Sequence, residues 1–226
     1  MKIAFLHALP FDERMWEPQL GAFSGHEVHA PTLYDLGSSF DEWALGVLQQ
    51  IPGTLVAVGA SMGGYTAAAI ARLAPERLAG LVLIGSRADP DPPERAPMRD
   101  EWIRIAREQG GEGLWETAAK NFFAPGVPAE TVERAHRIAG EQDPEGLVRA
   151  ITAIRDRPDS TEAVTSGIPL LVVAGEHDPM IPVPVAEELA ASSPNGRVEA
   201  LECGHLPNWE RPDELNAILG SFLASL

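Results

Sequence analysis

Short, almost wholly apolar runs recur along the chain, separated by segments with helical periodicity. The runs are Lys2–His7, Glu27–Ala30, Thr54–Val58, Gly80–Ile84, Pro169–Val173 and Arg197–Leu201. Breaker residues bound them: Pro31 ends the second, Pro52-Gly53 and Gly59 bracket the third, Gly85 ends the fourth, Ala174-Gly175 the fifth, and Asn195-Gly196 opens the last. The better runs lack the polar–apolar alternation of a half-solvated strand. Continuous apolar strands are buried on both faces, so the pattern predicts a parallel sheet with helices on each side. Helical patterns fall between the runs, over Phe40–Gln50, Met62–Leu73, Val183–Ala191 and Asp213–Leu226. The last of these places Leu215, Ile218, Leu219, Phe222 and Leu223 on one face. Strand–helix alternation implies right-handed crossovers and a doubly wound α/β fold.

The rhythm breaks between residues 88 and 160. Asp89-Pro90-Asp91-Pro92-Pro93 is a loop signal, and helical stretches then follow without a strand, near Ala96–Gln109, Gly113–Phe123, Ala129–Gly140 and Pro144–Arg155. An insertion of this size is too small for a separate stable domain. It is expected to lie as a helical cap over the strand ends of a core formed by residues 1–87 and 161–226.

Charge and composition narrow the partners. Of the 226 residues, 17 are Lys or Arg and 33 are Asp or Glu, a net charge of −16. So acidic a surface repels phosphate backbones and anionic lipid headgroups, which excludes nucleic acid and the membrane surface as expected partners and leaves a small molecule. Cys203 stands alone, so no internal disulfide forms, as expected in a reducing compartment. The segment Met1–His7 has no long apolar signal region, and no apolar run approaches the ~20 residues of a membrane helix. These features predict a soluble, cytoplasmic protein.

The sequence Gly59-Ala60-Ser61-Met62-Gly63-Gly64 joins a strand to a helix. Gly-x-Ser-x-Gly in that context is a nucleophile elbow, in which a strained turn lifts the serine hydroxyl above the sheet and neighbouring side chains two residues away would clash. The helix start presents free amides to any oxyanion formed there. Ser61 then needs a base. Among the six histidines, His205 follows the last strand and precedes the final helix. It fits the chain order serine, acid, histidine at the carboxyl ends of strands. His26 and His29 sit at an edge strand before the serine, His136 on a cap helix, and His177 within the loop after the fifth strand. The orienting acid is Asp178, with Glu176 in the same loop and Asp89 after the preceding strand as rivals. For the oxyanion hole the candidate donors are the Met62 amide and, from the loop His7-Ala8-Leu9-Pro10, that of Leu9, because Pro10 has no N–H. Cys203 reads as a small packing residue rather than a nucleophile. No metal or cofactor is called for.

At these residues the chain resembles the α/β-hydrolases along nearly its whole length. His7-Ala8-Leu9-Pro10 with Met15-Trp16, Arg157-Pro158-Asp159-Ser160, Gly175-Glu176-His177-Asp178, and Gly204-His205 with Glu210 and Pro212 are similar to the esterase and 3-oxoadipate enol-lactonase branch. Ala8 stands where that family usually has glycine. The chain also opens at what would be the family's third strand, so the sheet is expected to hold about six strands, without the N-terminal hairpin. The resemblance implies attack of Ser61 on an ester or lactone carbonyl and an acyl-enzyme cleared by water. Alternatives on the same triad are perhydrolysis or cofactor-free haloperoxidation, acyl transfer and carbon–carbon bond hydrolysis, and a ligand binder without turnover is a further one. Trp102, Trp115, Phe122, Phe123, Met180 and Leu206 are candidates to line the substrate pocket, with Arg99, Arg104 and Arg155 as cations that could meet a substrate carboxylate. The overall negative charge tilts the expectation toward neutral esters.

Overall fold

The computed structural model describes residues 1–226. Its strands are β1 (Lys2–Leu6), β2 (Glu27–His29), β3 (Leu55–Ala60), β4 (Leu78–Ile84), β5 (Leu170–Gly175) and β6 (Gly196–Leu201). They form one sheet of six strands in the order β2-β1-β3-β4-β5-β6, with every neighbouring pair parallel. The helices are α1 (Glu17–Ala22), α2 (Phe40–Gln50), α3 (Met62–Leu73), α4 (Ala96–Thr117), α5 (Ala129–Gly140), α6 (Pro144–Arg155), α7 (Thr161–Val164), α8 (Val183–Ala191), α9 (Pro207–Glu210) and α10 (Pro212–Ala224).

Alternate residues of each strand feed two cores. Ala57, Leu83 and Val172 face Trp43 of α2, Ile70 of α3 and Leu189 of α8. Val58, Val82 and Val173 face the other way, toward Trp16 and toward Leu215, Leu219 and Phe222 of α10. Both faces of the central strands are therefore dry, which is why their sequences do not alternate. The chain moves from β1 out to β2 and then back across β1 to β3. The order of the strands thus reverses between β1 and β3, the place where open α/β sheets gather ligands at the carboxyl ends of the strands. Register holds those ends level: Leu6 pairs with Gly59, Ala60 with Ile84, and Gly175 with Leu201.

Between β4 and β5 the chain forms helices and turns and no strand. α4 runs through both of the first two expected helices, broken at Gly110, whose φ of 61° and ψ of −150° are not helical, and Ala119–Phe122 continues it as a short 3-10 turn. α6 sends Leu147, Ile151 and Ile154 into the first core, and α5 sends Ala135 and Ile138 into the second. These helices thus have no core of their own. Short elements escape the sequence pattern, among them α1, α7, α9 and the turns Glu13–Trp16 and Leu33–Leu36, because each is too short to show a helical period.

The two ends of the helical excursion are clasped together. The Ser160 amide donates to the Ala88 carbonyl at 2.9 Å, and Arg157 Nε donates to the Asp89 carbonyl at 2.9 Å. Asp91 accepts from Arg99 Nε at 2.9 Å and from Arg157 Nη1 at 2.9 Å, with all three side chains at most 4% exposed. Burial works to raise the Asp91 pKa, but hydrogen bonds and charge from Arg99 and Arg157 hold it below the ordinary carboxylate value. The Arg157 guanidinium also lies 4.3 Å from the ring centre of Tyr65 on α3. One carboxylate therefore joins the start of α4, the exit of α6 and the sheet domain.

The loop after β1 is held by a second buried group. His7 is fully buried, accepts the Leu33 amide on Nε2 at 2.8 Å, and places Nδ1 3.2 Å from the Ala8 carbonyl. That pattern fixes the neutral ring with its proton on Nδ1. Burial accordingly lowers its pKa to about 4, from the ordinary 6.5.

Removing Asp91 strands two buried guanidinium groups, so Asp91→Ala should lower stability by roughly 3–5 kcal/mol in urea denaturation. A loss below ~1 kcal/mol would show the clasp to be incidental. The His7 ring gives a pH signature. Its folded pKa lies below the unfolded one, so its contribution is full above about pH 6.5 and is lost as pH falls toward about 4. Urea melts at about pH 7 and about pH 4 should show a His7→Gln protein losing roughly 3 kcal/mol less than the wild type across that interval. Equal losses would place the acid sensitivity elsewhere.

Candidate active site

Ser61 follows β3 directly and caps α3 with φ 48° and ψ −112°, the one non-glycine residue with positive φ in the chain. A serine held in so sparsely populated a conformation needs surroundings that over-determine it. A side-chain carbon on Gly63 would fall on the backbone carbonyl of Leu6 in β1, and one on Gly59 would fall on Gly63 itself. The Ser61 amide donates to the Ile84 carbonyl of β4 at 2.8 Å, and Ser86 Oγ donates to the Ser61 carbonyl at 2.8 Å. The turn is thus fixed from β1, from β4 and from the residue after Gly85, while the Ser61 hydroxyl makes no hydrogen bond within the protein.

His205 and Asp178 meet across the ends of β5 and β6. His205 Nδ1 lies 2.6 Å from Asp178 Oδ2, with side-chain exposures of 1% and 0%. The other oxygen, Oδ1, accepts the amides of Met180 at 2.8 Å and Ile181 at 3.2 Å. The carboxylate is therefore fixed by its own loop and can hold one imidazole orientation. Gly85 packs against the ring: with φ 52°, an added side-chain carbon would sit 3.1 Å from His205 Nδ1. The far nitrogen, His205 Nε2, is buried and has no partner in the protein. No hydrogen bond joins it to Ser61. Bonds of this kind are often long without substrate and tighten when it binds.

The rival acids are otherwise engaged. Asp89 pairs with Arg87, and Glu176 is exposed. Among the other histidines, His136 stacks on Trp115 and meets Glu112, His29 meets Glu27, and His177 is exposed. Burial, with Glu210 nearby, pushes the Cys203 thiol up to about 12, which leaves no thiolate at neutral pH.

Two amides stand ready near the turn. Leu9 N–H makes no hydrogen bond within the protein, whereas the preceding Ala8 N–H is taken by Met15 Sδ at 3.1 Å. Met62 is the first residue of α3, where an amide has no acceptor within the helix.

The expected pocket residues divide. Trp102, Phe122, Phe123 and Met180 line one cavity of about 680 Å³ beside the His205–Asp178 pair. Trp115 and Leu206 do not line it. They are buried in the second core, where Trp115 is covered by His136 and Leu206 is the residue that precedes α9. Of the expected cations, Arg99 lines the cavity, whereas Arg104 is taken by Glu101 and Glu108, and Arg155 by Asp100 and Asp156. The Phe122 ring centre is 5.1 Å from that of His205, and its carbonyl accepts the His205 amide at 2.6 Å. The sequence reading also passed over Glu210 as a structural group. Its carboxylate accepts the amides of Ala124 at 2.9 Å, Gly204 at 3.0 Å and Leu206 at 3.3 Å. It thereby fixes both neighbours of His205 and joins them to the helical excursion. Its place five residues after the histidine and two before Pro212 was the available signal.

Comparison with known proteins bears on the family and the fold. Residues 3–218 match the alpha/beta hydrolase family. A 3-oxoadipate enol-lactonase of Acinetobacter baylyi is 29% identical over 161 residues, 70% of this chain and 59% of that protein. A 2-hydroxy-6-oxononadienedioate/2-hydroxy-6-oxononatrienedioate hydrolase of Burkholderia vietnamiensis is 31% identical over 176 residues, 74% of this chain and 61% of that protein. The matched part thus spans about three fifths of either relative. A thermophilic esterase from Thermogutta terrifontis, solved with malate bound, superposes with a TM-score of 0.94 at 27% identity, over 100% of this chain and 90% of that one.

Proposed function

The chain belongs to the alpha/beta hydrolase family, and on that premise we propose that it cleaves a carboxylic ester or lactone of a small molecule through Ser61, His205 and Asp178. The observation that supports this most is the buried 2.6 Å contact of His205 with Asp178 on the level of the strained Ser61 turn. Residues 88–160 act as the cap over that site.

In this reading His205 Nε2 takes the Ser61 proton as Oγ attacks the carbonyl carbon. The new oxyanion is met by the Leu9 and Met62 amides, which cost no reorganisation because the loop and helix already hold them. Asp178 keeps the proton on Nδ1 and stabilises the imidazolium. The imidazolium gives its proton to the departing alkoxide, breaking the carbon–oxygen bond. Water, deprotonated by the same nitrogen, then attacks the acyl-enzyme, and Ser61 recovers its proton as the acid leaves.

A second reading shares the site. The Burkholderia relative is named for a dienedioate, a compound with two carboxylates and neither ester nor lactone. On such a substrate water would have to break a carbon–carbon bond. Product analysis in deuterated water separates the two, since ester or lactone cleavage frees a hydroxyl at the broken carbon–oxygen bond, whereas carbon–carbon cleavage leaves a new carbon–deuterium bond on the departing fragment.

Ser61→Ala should lower kcat on a p-nitrophenyl ester at least ~10⁴-fold, and Asp178→Asn by about 10⁴-fold, with the protein still folded. Near-normal turnover of Asp178→Asn would assign the acid elsewhere, and Asp89→Asn would be the next variant measured.

A further inference from the structure

A small cavity lies at the root of the helical excursion, lined by none of the candidate catalytic residues. Tyr65 and Arg72 of α3 form one side, Arg87 enters from the loop after β4, and Arg157 enters from the segment after α6. Three arginines line this cavity and no carboxylate does. In a chain of net charge −16 that is the reverse of what composition favours.

Charge does not balance here. Arg72 pairs with Asp41 and Arg87 with Asp89, one acid for each base. Asp91 is shared by Arg99 and Arg157. Four guanidinium groups thus answer three carboxylates, and one positive charge is left over. Hydrogen bonding falls short at the same place. Arg157 gives Nε to the Asp89 carbonyl and Nη1 to Asp91 and to the Ile154 carbonyl, each at 2.9 Å. Its Nη2 has no acceptor within the protein, although the side chain is only 3% exposed. Arg72 gives Nη2 to Asp41, and its Nε is likewise buried without an acceptor. A buried charged donor left unmet is costly, and an anion would meet both needs at once.

Size and surroundings select the anion. The cavity measures about 10 Å³, room for one water-sized particle. A carboxylate or a phosphate is larger than that. Water fits and accepts hydrogen bonds, but it leaves the extra charge uncompensated. Phe40, Ala68 and Ala69 make the remaining wall apolar, and the ring centre of Tyr65 lies 4.3 Å from the Arg157 guanidinium. In so dry a place the attraction between the guanidinium groups and a full negative charge is weakly screened.

We propose that this cavity binds a single halide ion, chloride or bromide, held by Arg157 Nη2 and Arg72 Nε. The ion sits between α3, whose N-terminal cap is Ser61, and the chain that leaves α6. It completes the charge of the Asp91 clasp and strengthens the attachment of the helical excursion to the sheet domain. The site is independent of the hydrolytic reading, and its test needs no substrate.

The test is thermal melting in sodium chloride and in sodium bromide, against sodium gluconate at the same ionic strength of about 0.2 M. Gluconate is too large to enter. A halide at ten times its Kd should raise the Tm of the wild type by about 4 °C, because it binds the folded state alone. Arg72→Met changes the more exposed of the two arginines and should lose most of that rise. Should this variant fail to fold, the wild type decides: crystals soaked in bromide should show an anomalous peak within hydrogen-bond reach of Arg157 Nη2. No halide-specific rise in the wild type, an equal rise in folded Arg72→Met, or no bromide at Arg157 would each overturn the proposal and leave water as the occupant.

Discussion

The arrangement depends on one close approach, that of the α3 start to β1. The sheet order puts β1 beside β3, and the turn at the end of β3 must pass the end of β1 to begin α3. At Gly63 there is no room for a side-chain carbon against the Leu6 carbonyl. That contact forces Ser61 into positive φ and raises its hydroxyl clear of the sheet. The same contact sets the end of β1, from which the loop to Leu9 departs, against the start of α3. A sheet with another strand order would separate them.

A second set of constraints fixes the histidine. Asp178 is pinned by the amides of its own loop, Gly85 leaves room for the ring, and Glu210 holds both neighbours of His205. Glu210 and the Phe122 carbonyl also tie that loop to the helices between β4 and β5. Because those helices share both cores of the sheet domain, they move as part of it, and the wall of the cavity is coupled to the histidine it adjoins. The Asp91 clasp closes the opposite end. Charge is thus concentrated where it organises the cavity, although the surface as a whole is acidic.

Much of this was legible in the sequence because it follows from local pattern. The continuous apolar strands announced a sheet covered on both faces, and α2, α3, α5, α6 and α8 have the bounds that periodicity and breakers gave them. Ser61 was legible because its turn demands glycines at fixed spacing, and His205 because it follows a strand end. What escaped depends on contacts between distant segments. Asp91 sits in a proline-rich loop, and nothing local shows that Arg99 and Arg157 converge on it. Trp115 carries the same aromatic signal as Trp102, yet the break at Gly110 turns it toward His136 and the core. The net charge is a sum over the chain and does not record that one cavity is lined by Arg95, Arg99 and Lys120 and by no carboxylate.

The claim that matters most is that the Ser61 turn and the His205–Asp178 pair form one nucleophilic device. Treatment with a fluorophosphonate, followed by peptide mass spectrometry, tests it without assuming a substrate. The account predicts a covalent adduct on the Ser61 peptide in the wild type and its absence in His205→Ala protein that remains folded. Labelling of another residue, or equal labelling of Ser61 without His205, would contradict it.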